Sequence, residues 1–298
     1  MELWIIVTIA AAFFQTLRFM LQKYLAGGAL SAGGATFARF AYAAPVVLLV
    51  LAGYLWARGL GLPEVGGRFW AYVLAGGVAQ ILATLCVVIL FSFRNFAVGI
   101  TLKKTEVVQT ALVGVVILGD LVSALGLVAM LVGLVGVILL SDPGGGSMRN
   151  WLRNRAAGLG LLSGLMFAVS GVCYRGATLE VGSDDPLMRA GVALAAVTTS
   201  QAIGMALWLA WREPGELGRV WGVRRTALWM GVTSFAGSIG WFTAFTLQNA
   251  AYVFALGQIE LIFSLAASVL VFREKVTARE LAGIGFLTAS ILLLVVFI

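Results

Sequence analysis

Apolar runs of about twenty residues, cut by single charges or by Gly/Pro clusters, recur along the whole chain. A run of that length, wound as a helix, spans the hydrocarbon core of a bilayer. The pattern predicts ten helices, at 3–25, 33–56, 69–93, 97–118, 121–141, 156–178, 187–211, 224–247, 250–272 and 278–297. Only SDPGGGSMRNWLRNR, Gly-rich and then basic, reads as a linker. The expected organisation is a five-helix unit over 1–141, a linker at 142–155 and a second five-helix unit over 156–298. The fold class that follows is an all-α integral membrane protein.

The polar positions inside these runs repeat. Glu106 and Glu260 each sit near the middle of an apolar segment, 154 residues apart. At the same offset, without a gap, Asn95 falls on Asn249, Leu102 on Leu256, Thr110 on Ser264, Asp120 on Glu274 and Ala124 on Ala278. The chain reads as a duplication. An odd number of spans per copy sends the second copy in from the opposite side, so the halves are expected to be inverted about an axis in the membrane plane. An ionised carboxylate at the bilayer midplane costs roughly 2.5 kcal/mol or more, so each buried acid is a functional-site candidate.

Composition narrows the function. Of 298 residues, 61% are hydrophobic and 11% charged, with mean hydropathy +1.02. The net charge of +7 is spread singly between apolar runs, which reads as membrane orientation and not as a nucleic-acid footprint. The chain has no histidine, which excludes an imidazole relay, a His-ligated metal and a serine-histidine triad. Cys86 and Cys173 lie inside apolar segments and read as small buried hydrophobes. No metal, cofactor or enzymatic activity is expected. The start, MELWIIVTIAAAFF, carries an acid where a secretory signal has basic residues, and is read as the first span, uncleaved.

Lys and Arg also bear on orientation. Connectors 1–2, 3–4, 5–6, 7–8 and 9–10 carry 12 of them, against 4 on the face that holds the termini. The positive-inside rule then puts the 5–6 linker in the cytoplasm and both termini outside.

The segments LKKTEVVQTALVGVVILGD with GLVGVILLSD, and GQIELIFSLAASVLVFREKVTARELAGIGFLTASILLLVV, resemble the drug/metabolite transporter superfamily in its EamA-type branch. Arg39 in TFARFAYAAP and Arg189 in PLMRAGVALA match an Arg usual in the second helix of each half. The resemblance covers essentially the whole chain. It implies ten helices in two inverted repeats and export of small metabolites across a bacterial inner membrane. The nearest branch in character is that of aromatic amino acid exporters. Val107 and Leu261 stand where the family often has Pro after the acid, which removes the Pro-based reason for a kink there. Relatives are usually drawn with both termini cytoplasmic; the charge bias argues the reverse.

Candidate site residues divide by environment. Lys103 lies one turn before Glu106, so that pair either neutralises itself as an internal ion pair or contributes charge to a site. Gly257 and Gln258 occupy the places of Lys103 and Lys104 in the second copy, so Glu260 has no cation on its own helix within one turn. It pairs with an Arg such as Arg18, Arg39 or Arg189, stays protonated, or faces water, where it would bind a substrate ammonium or exchange protons. Lys103 and Lys104 either attract a substrate carboxylate or snorkel to the cytoplasmic face. Gln15, Arg18 and Gln22 share one face of the first helix, and Ser163, Phe167, Ser170 and Tyr174 share one face of the sixth. Gln80, Thr84, Ser234, Ser238, Trp241, Ser264 and Ser268 add further polar or aromatic positions. Such hydroxyls also make ordinary interhelical hydrogen bonds. Taken together they suggest a cavity polar in a few spots and lined by aromatic rings, suited to a zwitterion with an apolar side chain.

The expected protein is a secondary transporter exporting amino acids, chiefly aromatic or hydrophobic ones, by alternating access. Proton coupling is a candidate energy source, the lipid bilayer and a small-molecule substrate are the partners, and the chain is a monomer or weak homodimer. The alternatives are a sugar-phosphate or nucleotide-sugar exchanger of the same fold and, more remotely, a lipid-modifying membrane enzyme. The first needs several basic side chains in the cavity, for which Arg18, Lys103 and Lys104 are available; the second needs an acidic cluster or an activated nucleophile, and the sequence offers neither.

Overall fold

The computed structural model describes residues 2–26, 28, 30–90, 92–93, 102–140, 155–263, 265–266 and 277–297. Among them every regular element is an α-helix: α1 (Leu3–Ala26), α2 (Ala32–Arg58), α3 (Gly67–Leu90), α4 (Glu106–Leu118), α5 (Ala124–Leu140), α6 (Arg155–Leu179), α7 (Pro186–Arg212), α8 (Glu216–Gly222), α9 (Arg224–Leu247), α10 (Ala250–Gly257) and α11 (Ala278–Phe297). Local chemistry sets the ends. Ser31 caps α2, its hydroxyl accepting the Gly34 N–H at 2.9 Å, and Asp185 caps α7 ahead of Pro186. Gly119, at φ 71°, ends α4 in a left-handed turn that a Cβ would strain.

Six of these helices are long and apolar enough to cross a membrane: α1, α2, α3, α6, α7 and α11. Three more apolar stretches are shorter: α4, α5 and Ala250–Phe263. The expected spans 97–118 and 250–272 fall partly outside the described residues, as do Ser264, Ser268 and all of the linker except Arg155, which opens α6. Helix α9 has the length of a span but begins Arg224-Arg225 and carries Thr233, Ser234 and Ser238, so its hydropathy is lower. Leu49, Val116, Leu131, Leu207 and Leu292 are exposed on the outer surface. A face of that kind carries no penalty against lipid tails, which are as apolar as Leu.

The short α8 was not legible as a helix. Gly215, at φ 92°, turns the chain into it, and Glu216 is buried against the start of α2, where it accepts the Ser31 N–H at 2.6 Å.

Packing is reciprocal at the 154-residue offset. Helix α3 packs on α6 while α1 packs on α9; α4 packs on α6 while α1 packs on α10; α3 packs on α7 while α2 packs on α9. Other contacts join offset-related helices, α2 to α7 and α5 to α11, and α4 packs on α10. Two of these pairs run antiparallel. Ser31, before α2, donates its hydroxyl to Glu213, just past α7, and Tyr54, near the end of α2, donates to Asp185, before α7. At the α5–α11 crossing Ser290 donates to the Ala129 carbonyl at 2.7 Å and Gly136 backs on Gly283. A Cβ on Gly136 would lie 2.8 Å from the Gly283 carbonyl oxygen, so only glycine allows this approach.

The helix containing each acid is interrupted just before it. Residues 104–105 and 258–259 form turns at the same offset. The Thr105 N–H donates to the Leu102 carbonyl and the Ile259 N–H to the Leu256 carbonyl, both at 3.1 Å. These three-residue bonds tighten the backbone and break the helix without Pro. In the first copy the Thr105 hydroxyl also bonds the Leu102 carbonyl, at 2.6 Å, competing with the next turn.

Candidate functional site

The two interruptions face each other, because α4 packs on α10. Lys104, in the first turn, forms an ion pair with Glu260, which restarts the helix after the second. Gln15 of α1 donates to the other Glu260 oxygen at 2.7 Å. Lys103 points the other way, to Glu106 Oε1 at 3.0 Å and over the Phe167 ring at 4.5 Å. Relative exposures of 4% for Lys103, 3% for Lys104, 4% for Glu106 and 8% for Glu260 put all four charges inside the protein. Neither lysine snorkels to a surface: Lys103 meets Glu106 and Lys104 meets Glu260 inside the protein. The sequence left Glu260 pairing with an arginine, staying protonated or facing water, and the partner found is Lys104. Arg18 instead donates to Gln22, Arg39 to Thr84, and Arg189 to the Thr178 carbonyl.

Beside this charged cluster lies a cavity with two lobes. Both are narrow: one is lined by Gln15, Phe167, Ser170, Trp241, Phe245 and Phe254, the other by Phe40, Thr198, Gln201, Ser234 and Phe235. Arg39, Gln80, Tyr174, Ser238 and Phe242 line both. Gln15 thus belongs to the cavity wall and to the Glu260 cluster at once.

The wall is polar at few points. Ser170 donates to Gln80 Oε1 at 2.8 Å, and Gln201 donates to the Gly77 carbonyl at 3.0 Å and to the Tyr174 hydroxyl at 3.2 Å. Arg39 donates one guanidinium N–H to Thr84 at 3.1 Å and lies 5.0 Å from the Phe40 ring. Aromatic rings supply much of the rest. Tyr174 stacks on Phe242 at 4.5 Å, and Trp241, Phe245 and Phe254 form a cluster with centroids 5.3–5.9 Å apart. Trp241 Nε1 and Ser234 Oγ are buried without a hydrogen-bond partner among the described residues.

Of the residues singled out in the sequence, Gln15, Gln80, Phe167, Ser170, Tyr174, Ser234, Ser238 and Trp241 line this cavity. Thr84 and Lys103 stand behind it, holding Arg39 and contacting Phe167. Three others are placed elsewhere. Arg18 bonds Gln22 and lies over the Phe19 ring at 4.1 Å; Ser163 donates to the Ala83 carbonyl between α3 and α6; Gln258 is buried with its side chain towards Gly133. Interhelical contact explains Ser163 and Gln258, while Arg18 is held by neighbours on its own helix. The sequence reading gave no role in the cavity to Arg39, Thr198 or Gln201. The polar run Thr198-Thr199-Ser200-Gln201 inside an apolar helix was the available signal for the latter two.

One end of the bundle is cross-linked by Arg175. It pairs with Asp120 at 2.6 Å and donates to the Phe245 and Gln248 carbonyls at 2.8 and 2.9 Å, joining α6 to the end of α4 and the end of α9. Asp185 lies outside the spans. The Tyr54 hydroxyl holds its carboxyl below the usual carboxylate range, with the Leu187 and Met188 amides acting in the same sense against partial burial. No group of three His, Cys, Asp or Glu side chains suited to a metal is present among the described residues.

Residues 154–296, just under half of the chain, match the EamA-like transporter family. No curated protein matches the sequence. A solved crystal structure is similar in fold over 97% of this chain and 99% of its own, with a TM-score of 0.68 at 14% identity. The apolar spans and the lipid-suited exterior fit a multi-pass membrane protein.

Proposed function

We propose that this protein is a secondary transporter that exports amino acids, chiefly those with aromatic or hydrophobic side chains, through the two-lobed cavity between its halves. The observation that carries the reading is the wall itself: a few fixed hydrogen-bonding groups and one cation amid stacked aromatic rings, at a site built by both halves. Such a lining accepts an apolar body and orients a polar end. Two inverted five-span copies are supported by the reciprocal packing and by the antiparallel course of α2 against α7. Rocking one copy against the other would open the cavity to each side in turn.

The Lys104–Glu260 pair joins the two interrupted helices and is the natural point for coupling, by proton exchange at Glu260. A sugar-phosphate substrate fits less well, because Arg39 is the only charged side chain among the described lining residues. The charge bias supports a cytoplasmic 5–6 linker and external termini in a bacterial inner membrane, with the chain acting as a monomer or weak homodimer.

The test is counterflow in proteoliposomes loaded with unlabelled amino acid. Transient accumulation of labelled phenylalanine or leucine is expected, and flux of no aromatic or aliphatic amino acid would remove the assignment. Labelling Ser147→Cys with an impermeant thiol reagent checks orientation; reaction from the external face of intact cells would reverse the topology.

A further inference from the structure

We propose that Arg39 is the substrate anchor, that it binds a carboxylate, and that the substrate's amino group is dispensable for binding. The inference rests on the transport cavity and deepens the reading above: the ligand class becomes monocarboxylates with an aromatic or branched apolar body, amino acids being one subset.

Arg39 is buried inside the protein and has no acidic partner among the described residues; its one protein hydrogen bond there is to the neutral Thr84 hydroxyl. A desolvated guanidinium without a counter-ion is costly, and a planar carboxylate matches its forked donors in a bidentate pair. The cavity holds further donors without acceptors. Trp241 Nε1 and Ser234 Oγ are both buried, unpartnered and part of the wall. Arg39 lines both lobes, so each lobe offers an acceptor-rich group the guanidinium and one further donor, Trp241 Nε1 in one and Ser234 Oγ in the other.

Nothing comparable serves a cation. The described lining residues include no Asp or Glu, and the nearest acid, Glu260, lies behind Gln15 and is already bonded to Gln15 and Lys104. A substrate ammonium is left with ring faces such as that of Trp241. Charge recognition is therefore one-sided.

Calorimetry on the purified full chain separates these contributions, with phenylalanine, 3-phenylpropionate, 3-phenylpropionamide and 2-phenylethylamine as probes. On the unaltered protein, 3-phenylpropionate is expected to bind within about threefold of phenylalanine, and the amide and the amine at least about tenfold more weakly. Arg39→Gln should lower the affinity of both carboxylates at least about tenfold, to about that of the amide, and a thermal melt like the parent's reports that the variant is folded. Binding of phenylethylamine as tight as that of phenylalanine, carboxylate binding untouched by Arg39→Gln, or binding of none of the four would overturn the assignment. Because binding is read without flux, Arg39-dependent carboxylate binding with no counterflow would remove the transport reading alone, and phenylalanine flux with amine-directed binding would remove this inference alone.

Discussion

Lys104 and Glu260 form an ion pair across the two halves, each at the point where its helix is interrupted. Removing one partner strands the other charge in the interior. Glu260→Gln is expected to lower stability by on the order of 3 kcal/mol, read from reversible unfolding in detergent. The double variant Lys104→Met with Glu260→Gln should recover most of that loss. Equal, additive losses from the two single changes would show that the pair is not coupled.

The pH response of a second inter-half contact, Tyr54 with Asp185, has a defined sign. Asp185 titrates below its ordinary range because the Tyr54 hydroxyl donates to it. Its folded form binds protons less readily than the unfolded chain, so its contribution is full above the unfolded value of about 3.9 and is lost as pH falls through the lower folded value. Tyr54→Phe removes the largest cause, so the variant should be the less stable protein above about pH 4 and should lose less on acidification, its thermal stability converging with the parent's as pH falls. Identical acid limbs for the two proteins would contradict this.

Backbone contact at the α5–α11 crossing leaves no room at Gly136. Gly136→Ala would place a Cβ 2.8 Å from both the Gly283 carbonyl oxygen and the Leu287 amide nitrogen, neither of which can rotate away. A loss of more than about 1 kcal/mol is expected. Gly285→Ala, whose Cβ meets nothing within 4 Å, is the matched control and should be close to neutral. Comparable melting temperatures for both variants would contradict the packing described.

Much of this arrangement could be read along the chain and some of it could not. Hydropathy marked the apolar helices, and the spacing of Lys103 and Glu106 announced an i, i+3 pair that is present at 3.0 Å. The helix breaks gave no such warning, since neither Lys104-Thr105 nor Gln258-Ile259 contains Pro or Gly; they arise from three-residue backbone bonds. Periodicity relates residues on one helix and is silent about partners on another, which is why arginines stood among the outcomes for Glu260 and Lys104 did not. Arg39 was noticed as an inward cation, yet its place in the cavity depends on α2, α3, α6, α7 and α9 meeting around it. The buried Glu216 was hidden for a different reason: EPGELGRVWG has the composition of a connector, and only its docking against Ser31 makes it a helix.

The central claim is that substrate passes through the two-lobed cavity. Ser238 lines both lobes, so Ser238→Trp fills the space without removing a charge. Counterflow of labelled phenylalanine, measured side by side for the parent and for Ser238→Trp reconstituted to equal density, is expected to give transient accumulation with the parent and none with the filled variant. Undiminished accumulation through Ser238→Trp would place the pathway elsewhere and contradict the account.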